Sequence, residues 1–168
     1  MDVVILIGHG GTASDTPRIL VKELRELEKQ REPGTAMSER EAELDQTVRH
    51  WPRTPENDPY KFGLERIAET LRPKVAPAEL RVAFNEFCAP SIEAAVAQAV
   101  GDGAKRIVLV TTMITPGGSH ADHEIPLITE ALQKQHAETE ITYAWPFSLD
   151  ATTDMLAATV QSHAPWSS

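Results

Sequence analysis

The apolar residues of the chain fall into short continuous runs, which alternate with longer segments of helical spacing. The runs are rich in β-branched residues and predict buried strands at 2–8, 80–86, 106–113 and 141–145. Apolar residues spaced three or four apart predict helices at 16–30, 58–73, 90–100, 121–135 and 151–162. Strands and helices therefore alternate along most of the chain.

This order of elements predicts the fold class. Nearly continuous apolar strands that alternate with helices are typical of a parallel sheet covered on both faces. Because the crossovers of such sheets are right-handed, we expect a small doubly wound α/β domain with about four strands. A chain of 168 residues also favours a single domain, here 1–168.

The segment 31–59 departs from the pattern, since it combines prolines with many charges and few large apolar residues. Ser38 followed by Glu41 indicates a capping box that opens a short helix reaching to about His50. We interpret the segment as an insertion, either a partly helical excursion or a mobile lid. A solvated long connection is an equally good interpretation.

Composition excludes several classes of function. The net charge of −9 argues against a nucleic-acid binder and against docking to an anionic membrane surface. No apolar run approaches the ~20 residues of a membrane span. Met1 leads directly into the first apolar run without the basic start of a signal peptide, which predicts a cytoplasmic protein. The single cysteine, Cys88, excludes an internal disulfide framework and a cysteine-based zinc cage.

Candidate chemistry lies where the predicted strands end. Ligands of open α/β sheets bind outside the carboxyl ends of the strands, and there the sequence supplies His9, Glu86 and His120. Two imidazoles and a carboxylate suit a divalent metal such as Co²⁺, Fe²⁺, Ni²⁺ or Zn²⁺. Any one of these residues alone is more often a capping or solvated polar group. We expect His123 to be an exposed helix residue and Cys88 to be a buried structural thiol.

Two glycine pairs flank these histidines. Gly10 and Gly11 follow His9, and Gly117 and Gly118 precede His120. Backbone N–H groups at such positions bind anions such as carboxylates, which makes all four glycines candidate substrate-binding residues. Ordinary turn chemistry is the alternative explanation.

Four segments resemble the sirohydrochlorin chelatase family, the small class II chelatases of cobalamin and siroheme synthesis. They are the strand-GHG at 3–10, FNEFCAPSIEAAV at 84–96, IVLVTTMITPGGSHADHEIP at 107–126 and YAWPFSLD at 143–150. The resemblance implies a chelatase-like (flavodoxin-like) half-domain that inserts Co²⁺ or Fe²⁺ into sirohydrochlorin, with Ni²⁺ as a further candidate and no nucleotide cofactor. It implies that His9 and His120 handle the metal and that Glu86 is the acidic residue beside them.

The same resemblance predicts a homodimer, because the short family members are similar to half of a two-lobed chelatase. In the insertion, Arg49 and Arg53 are candidates to meet substrate carboxylates.

The sequence leaves three alternatives to metal insertion. The first is a non-catalytic metal- or tetrapyrrole-binding relative, since Gly11 stands where the family usually has serine. A histidine phosphatase would need an arginine before His9 to hold phosphate, and Gly8 is there instead. A flavodoxin-like cofactor binder would need a Ser/Thr-rich phosphate loop, which we do not find.

Overall fold

The structure is a computed structural model that describes residues 1–32 and 35–164. Its centre is a four-stranded sheet in the order β2-β1-β3-β4, with all neighbouring strands parallel. The strands are β1 (Asp2–Gly8), β2 (Glu79–Phe84), β3 (Arg106–Thr111) and β4 (Glu140–Tyr143). The predicted fold class, a small doubly wound α/β sheet, is confirmed.

The part of the chain that the structure describes forms seven helical segments. They are α1 (Arg18–Gln30), α2 (Glu39–Arg49), α3 (Pro59–Val75), α4 (Ile92–Gly101), a π-helical turn (His120–Glu124), α5 (Ile125–Gln135) and α6 (Leu149–His163). Helices α4 and α5 cover one face of the sheet, and the core there includes Ile5, Val96, Leu109 and Ile125. Helix α3 packs on the other face against β1 and β2. No helix in the described ranges is long and apolar enough to cross a membrane.

Helix α3 runs through Pro73, where the sequence predicted its end. A proline so near the carboxyl end removes only one intrahelical hydrogen bond, so the last turn still forms. At its start Asp58 caps the helix as expected, because its carboxylate accepts a hydrogen bond from the N–H of Lys61 at 3.0 Å.

Within the predicted insertion, α2 packs against α1 instead of standing apart as a lid. Ser38 caps α2 through the N–H of Glu41, as the sequence indicated. Leu44 and Val48 of α2 are buried against Leu24 of α1 and against Phe87. Pro33 and Gly34 of the predicted insertion lie outside the described residues.

The expectation that Arg49 and Arg53 are free to meet substrate is wrong. The Arg49 guanidinium pairs with Asp45 at 2.8 Å and is only 13% exposed. The Arg53 side chain is 6% exposed and pairs with Asp58 at 2.6 Å. Both arginines are instead internal ties between the insertion and the loops of the candidate site.

Candidate metal-transfer site

The three residues predicted at the strand ends lie together at one rim of the sheet. The parallel register sets Gly8 beside Phe84, so the loops after β1 and β2 leave the sheet side by side. Two backbone hydrogen bonds continue this pairing, from the N–H groups of Asn85 and Glu86 to the carbonyls of Gly8 and His9, at 2.9 and 2.8 Å. The loop after β3 brings His120 to the same rim.

The donor atoms of His9, Glu86 and His120 all lie within 4.8 Å of one another. The Glu86 carboxylate is between the two imidazoles, 3.8 Å from Nε2 of His9 and 3.9 Å from Nε2 of His120. The imidazole rings meet edge to face with centroids 4.9 Å apart. All three side chains are partly exposed, so an ion can reach the cluster from solvent.

Hydrogen bonds fix the tautomers of both histidines. Nδ1 of His9 is 2.8 Å from the carbonyl oxygen of Gly10 and must donate to it, because a carbonyl can only accept. Nδ1 of His120 likewise donates to the carboxylate of Glu124. In the neutral form of each ring Nε2 then keeps a free lone pair, and both Nε2 atoms face Glu86, which is the arrangement that metal-binding histidines need.

Asn85 and Glu124 support His120, and the sequence analysis missed both. Asn85 is 8% exposed, and its side-chain N–H group donates to Glu124 at 3.1 Å. The π-helical turn places Glu124 next to the ring of His120, four residues earlier. The spacing of His120 and Glu124 along a helix was the available signal, and π-turns are frequent at functional sites.

Gly10 is required by the close approach of the two loops. Its φ is +86°, and a Cβ built at this position would lie 2.0 Å from the carbonyl oxygen of Glu86. A Cβ built at Gly11, by contrast, would meet no atom within 4 Å. The N–H of Gly117 donates to Asp122, so this predicted anion donor is engaged inside its own loop.

The loop that carries Glu86 is held from the side of the insertion. Arg49 donates to the carbonyls of Asn85 and Cys88 at 3.3 and 3.1 Å. Arg53 donates to the carbonyls of Phe87 and Gly11, and so ties the loops of Glu86 and His9 together. These contacts add to the two backbone hydrogen bonds that already join this loop to the loop of His9.

Phe87 adopts a left-handed backbone conformation with φ of 55°. Such a conformation costs roughly 1–2 kcal/mol for a residue with a Cβ atom. The Phe87 side chain is buried between α1 and α2, and this burial offsets the cost. The turn at Phe87 directs the preceding Glu86 towards the histidines. Cys88 is buried, as predicted, and burial raises the pKa of its thiol.

Acidic side chains of α1 and α2 lie close to the cluster. Partial burial raises the pKa of Glu28, and the negative charges of Glu86, Asp45 and Glu41 raise it further. Glu41 and Asp45 are themselves paired with Arg31 and Arg49, at 2.9 and 2.8 Å.

An aromatic group flanks the site at the end of β4. Tyr143 and Trp145 stack with ring centroids 6.1 Å apart, and Phe147 meets Trp145 edge to face at 5.5 Å. The indole N–H of Trp145 donates to Asp122, two residues from His120, at 2.6 Å. Burial, and then the charge of Asp122, raises the pKa of Tyr143 to about 12.

A cationic cleft of about 520 Å³ lies along α1. Four basic side chains line it, namely Arg18, Lys22, Arg25 and Lys29, and one acidic side chain, Glu26, lies 3.8 Å from Lys22. Arg25 also lies over the ring of Phe87, 5.0 Å from its centroid, so the cleft adjoins the loop of Glu86. His123 is an exposed helix residue, as the sequence predicted, and it lies outside the cluster of His9, Glu86 and His120.

Solved structures share the fold. The structure of SirB from Bacillus subtilis with Fe³⁺ superposes with a TM-score of 0.58 and 14% identity, over 97% of this chain and 47% of SirB. A cobalt complex of SirB from the subspecies spizizenii gives 0.57 and 15%, over 97% and 50%. A putative cobalamin biosynthesis CbiX protein from Marinobacter aquaeolei gives 0.56 and 20%, over 97% and 96%.

Sequence comparison gives the family. A sirohydrochlorin ferrochelatase from Priestia megaterium is 30% identical over 69 residues, which is 41% of this chain and 26% of that protein. The chain thus spans about half of SirB and matches about a quarter of the ferrochelatase. The CbiX family model matches residues 56–162, which include Glu86 and His120 but not His9. Because this match covers well over half of the sequence, the chain belongs to the CbiX family.

Proposed function

We propose that this protein inserts a divalent metal, Co²⁺ or Fe²⁺, into sirohydrochlorin. The observation that carries the proposal is the cluster of His9, Glu86 and His120, whose donor atoms lie within 4.8 Å of one another at the carboxyl rim of the sheet. The names of the SirB and ferrochelatase relatives support the choice of substrate.

The donor set suits delivery of a metal rather than storage. Metal–ligand distances of ~2.1 Å put tetrahedral donors ~3.4 Å apart, so these side chains close in slightly as the metal enters. Three partly exposed protein ligands leave at least one coordination position for an incoming pyrrole nitrogen. The four nitrogens of the macrocycle can then replace the protein ligands one after another.

Insertion releases two pyrrole protons for each metal ion. A neutral imidazole that donates through Nδ1 keeps a lone pair on Nε2, so His9 and His120 can each accept one proton after the metal leaves it. Glu86 lies between them and stabilises the charge of either imidazolium. Glu124 does the same for His120 from the opposite side of the ring.

The surroundings of the cluster fit a flat, acidic macrocycle. The cleft on α1 offers basic side chains to the substrate carboxylates, a role that the buried Arg49 and Arg53 cannot fill. The aromatic group around Trp145 offers an apolar surface for the ring. Backbone N–H groups of Gly10, Gly11 and Gly118 are further candidates to bind carboxylates.

A homodimer is part of the proposal, since the chain covers about half of SirB and 96% of the Marinobacter protein. Two copies together would provide as much structure as one SirB chain. A cytoplasmic location stays a prediction from the sequence.

The test is anaerobic incubation of the protein with sirohydrochlorin and Co²⁺, Fe²⁺ or Ni²⁺ in turn, followed by absorbance of the metallated ring. We expect insertion well above the uncatalysed rate with Co²⁺ or Fe²⁺. Tight binding of metal or tetrapyrrole with no rate enhancement would make the protein a non-catalytic relative. A parallel reaction with protoporphyrin, which carries fewer carboxylates, measures how strongly the protein prefers sirohydrochlorin.

A further inference from the structure

The start of α1 offers hydrogen-bond donors to a partner from outside the helix. Pro17 precedes the helix, no side chain in the described chain caps its first turn, and no acidic residue stands in that turn. The N–H groups of a first helical turn have no partner within the helix, and the helix dipole adds partial positive charge there. A negatively charged ligand would satisfy both.

The hydroxyl of Thr16 is a second, independent sign of a ligand at this place. Thr16 lies two residues before α1 and is only 6% exposed. Its Oγ1 atom makes no hydrogen bond within the ranges 1–32 and 35–164. Buried hydroxyls without a partner cost free energy and are rare in folded proteins. Because Thr16 lines the cleft on α1, a ligand in this cleft can accept from its hydroxyl.

The walls of the cleft are basic, although the protein as a whole is acidic. Four basic side chains and one acidic side chain give the lining a net charge of +3, whereas the whole chain carries −9. The basic residues recur three or four positions apart on one face of α1 and form a basic stripe, namely Arg18, Lys22, Arg25 and Lys29. Of these four, only Lys22 forms an ion pair with another described residue, the exposed Glu26. The cleft therefore attracts oxyanions.

The cleft adjoins the loops that carry the metal cluster. Thr12 lines its near end and follows His9 by three residues, which span at most ~11 Å. Arg25 of the stripe lies over the ring of Phe87, the neighbour of Glu86. From its first to its last residue the stripe runs ~16 Å along α1, long enough to follow one edge of a tetrapyrrole ring. An oxyanion in the cleft would thus belong to a molecule that also reaches the cluster.

We propose that the start of α1 is an oxyanion subsite that binds one peripheral carboxylate of the tetrapyrrole substrate. The Thr16 hydroxyl and the N–H groups of the first turn donate to this carboxylate, and Arg18 and Lys22 balance its charge. Arg25 and Lys29 remain for a second carboxylate on the same edge of the ring. The inference rests on the proposed function for the identity of the ligand, and it adds that the substrate lies with one edge along α1.

Thr16→Val tests the subsite, because it removes the hydroxyl and keeps the shape of the side chain. Anaerobic titration with sirohydrochlorin in the absence of metal, followed by absorbance, measures the dissociation constant. We expect binding to weaken roughly tenfold, the effect of losing one hydrogen bond to a charged group. Thr47→Val is the matched control, since the hydroxyl of Thr47 bonds only to the Glu43 carbonyl on an exposed part of α2. The control should bind sirohydrochlorin as the unmodified protein does.

The stability of the same variant separates a ligand site from a structural role. Because the Thr16 hydroxyl has no partner in the free protein, Thr16→Val should be at least as stable as the unmodified protein in urea unfolding. A hydroxyl that supports the fold would give the opposite result. A less stable Thr16→Val protein, or one that binds sirohydrochlorin as tightly as the control, would overturn the inference.

Lys22→Gln tests the charge of the subsite. We expect it to weaken sirohydrochlorin binding several-fold at low ionic strength and less in high salt, because salt screens exposed charges. Lys134→Gln removes one exposed positive charge from α5 and is the matched control. Equal weakening by the two variants would show that only net charge matters and would contradict a subsite on α1.

Inorganic phosphate distinguishes a substrate carboxylate from a free anion. We expect phosphate to compete weakly with sirohydrochlorin for the unmodified protein. Phosphate that binds, measured by calorimetry, without displacing sirohydrochlorin would assign the subsite to a free anion and overturn the proposal.

The outcome for the subsite is distinguishable from the outcome for metal insertion. A protein whose sirohydrochlorin binding depends on Thr16 but which inserts no metal would contradict the proposed function and support the subsite. Metal insertion with the same dissociation constant for Thr16→Val and Thr47→Val would support the function and overturn the subsite. A protein that does not bind sirohydrochlorin would contradict both.

Discussion

At the scale of single residues, the site depends on what holds the two histidines in their tautomers. His120 has the more elaborate support, because Glu124 accepts from its Nδ1 and buried Asn85 donates to Glu124. His9 relies on a backbone carbonyl, which no side-chain substitution can remove. The carboxylate of Glu124 is therefore the more accessible element to test.

Glu124→Gln removes the charge behind His120 and leaves the size of the side chain unchanged. Loss of such a partner typically lowers activity by ~10–100-fold, and we expect metal insertion to slow by that factor while the fold is kept. Initial rates at saturating metal check the prediction. Glu130→Gln, an exposed change on α5, is the control. A Glu124→Gln protein as fast as the control would show that Glu124 has no positioning role.

The raised pKa of Glu28 predicts that the stability of the protein depends on pH. Its pKa is raised in the folded chain by partial burial and by neighbouring carboxylates, so the folded state binds this proton more tightly than the unfolded state. The free energy of unfolding therefore falls as the pH rises from the ordinary glutamate range through the raised pKa. Glu28→Gln should be more stable than the unmodified protein at neutral pH and lose that advantage in acid. Urea unfolding at several pH values measures this, and equal stability throughout would contradict it.

At the scale of elements, the segment after α1 determines the shape of the site rather than covering it. Helix α2 buries Phe87 together with α1, and Arg53 joins the loops of His9 and Glu86. Deletion of residues 31–59 would expose the apolar cluster around Phe87. We therefore expect the deletion to unfold the loops of the site.

Arg53→Ala tests this connection with a single change. The substitution leaves Asp58 as an unpaired buried charge and removes the donor to several backbone carbonyls. We expect it to lower the free energy of unfolding by roughly 3–5 kcal/mol, the usual cost of removing one partner of a buried ion pair. Arg40→Ala breaks exposed ion pairs with Glu23 and Glu43 and should change the free energy of unfolding far less. Chemical denaturation compares the two. Similar losses for both variants would mean that Arg53 does not tie the loops together.

The sequence predicted some of these elements better than others, for physical reasons. The strands and the convergence of His9, Glu86 and His120 follow from apolar runs and from parallel topology, which local patterns encode. The packing of α2 was missed because its two buried apolar residues, Leu44 and Val48, are diluted by charges that fold inward as ion pairs. The π-helical turn was missed because hydrogen-bond spacing within a helix leaves no trace in hydrophobic periodicity.

At the scale of the whole molecule, the candidate chemistry lies at one rim of the sheet. His9, Glu86 and His120 come together within a single chain, so the donor set needs no residue from a second copy. Binding of the metal should therefore be separable from assembly of the proposed homodimer.

The central claim is that His9, Glu86 and His120 transfer the metal. The most direct test compares His120→Ala with His123→Ala by the initial rate of anaerobic Co²⁺ insertion into sirohydrochlorin. The two histidines lie three residues apart, but only His120 belongs to the cluster. Loss of a metal ligand and proton acceptor should lower the rate of His120→Ala by roughly 10²–10⁴-fold, while His123→Ala keeps the unmodified rate. A folded His120→Ala protein that inserts cobalt as fast as His123→Ala would contradict the assignment of this cluster as the metal-transfer site.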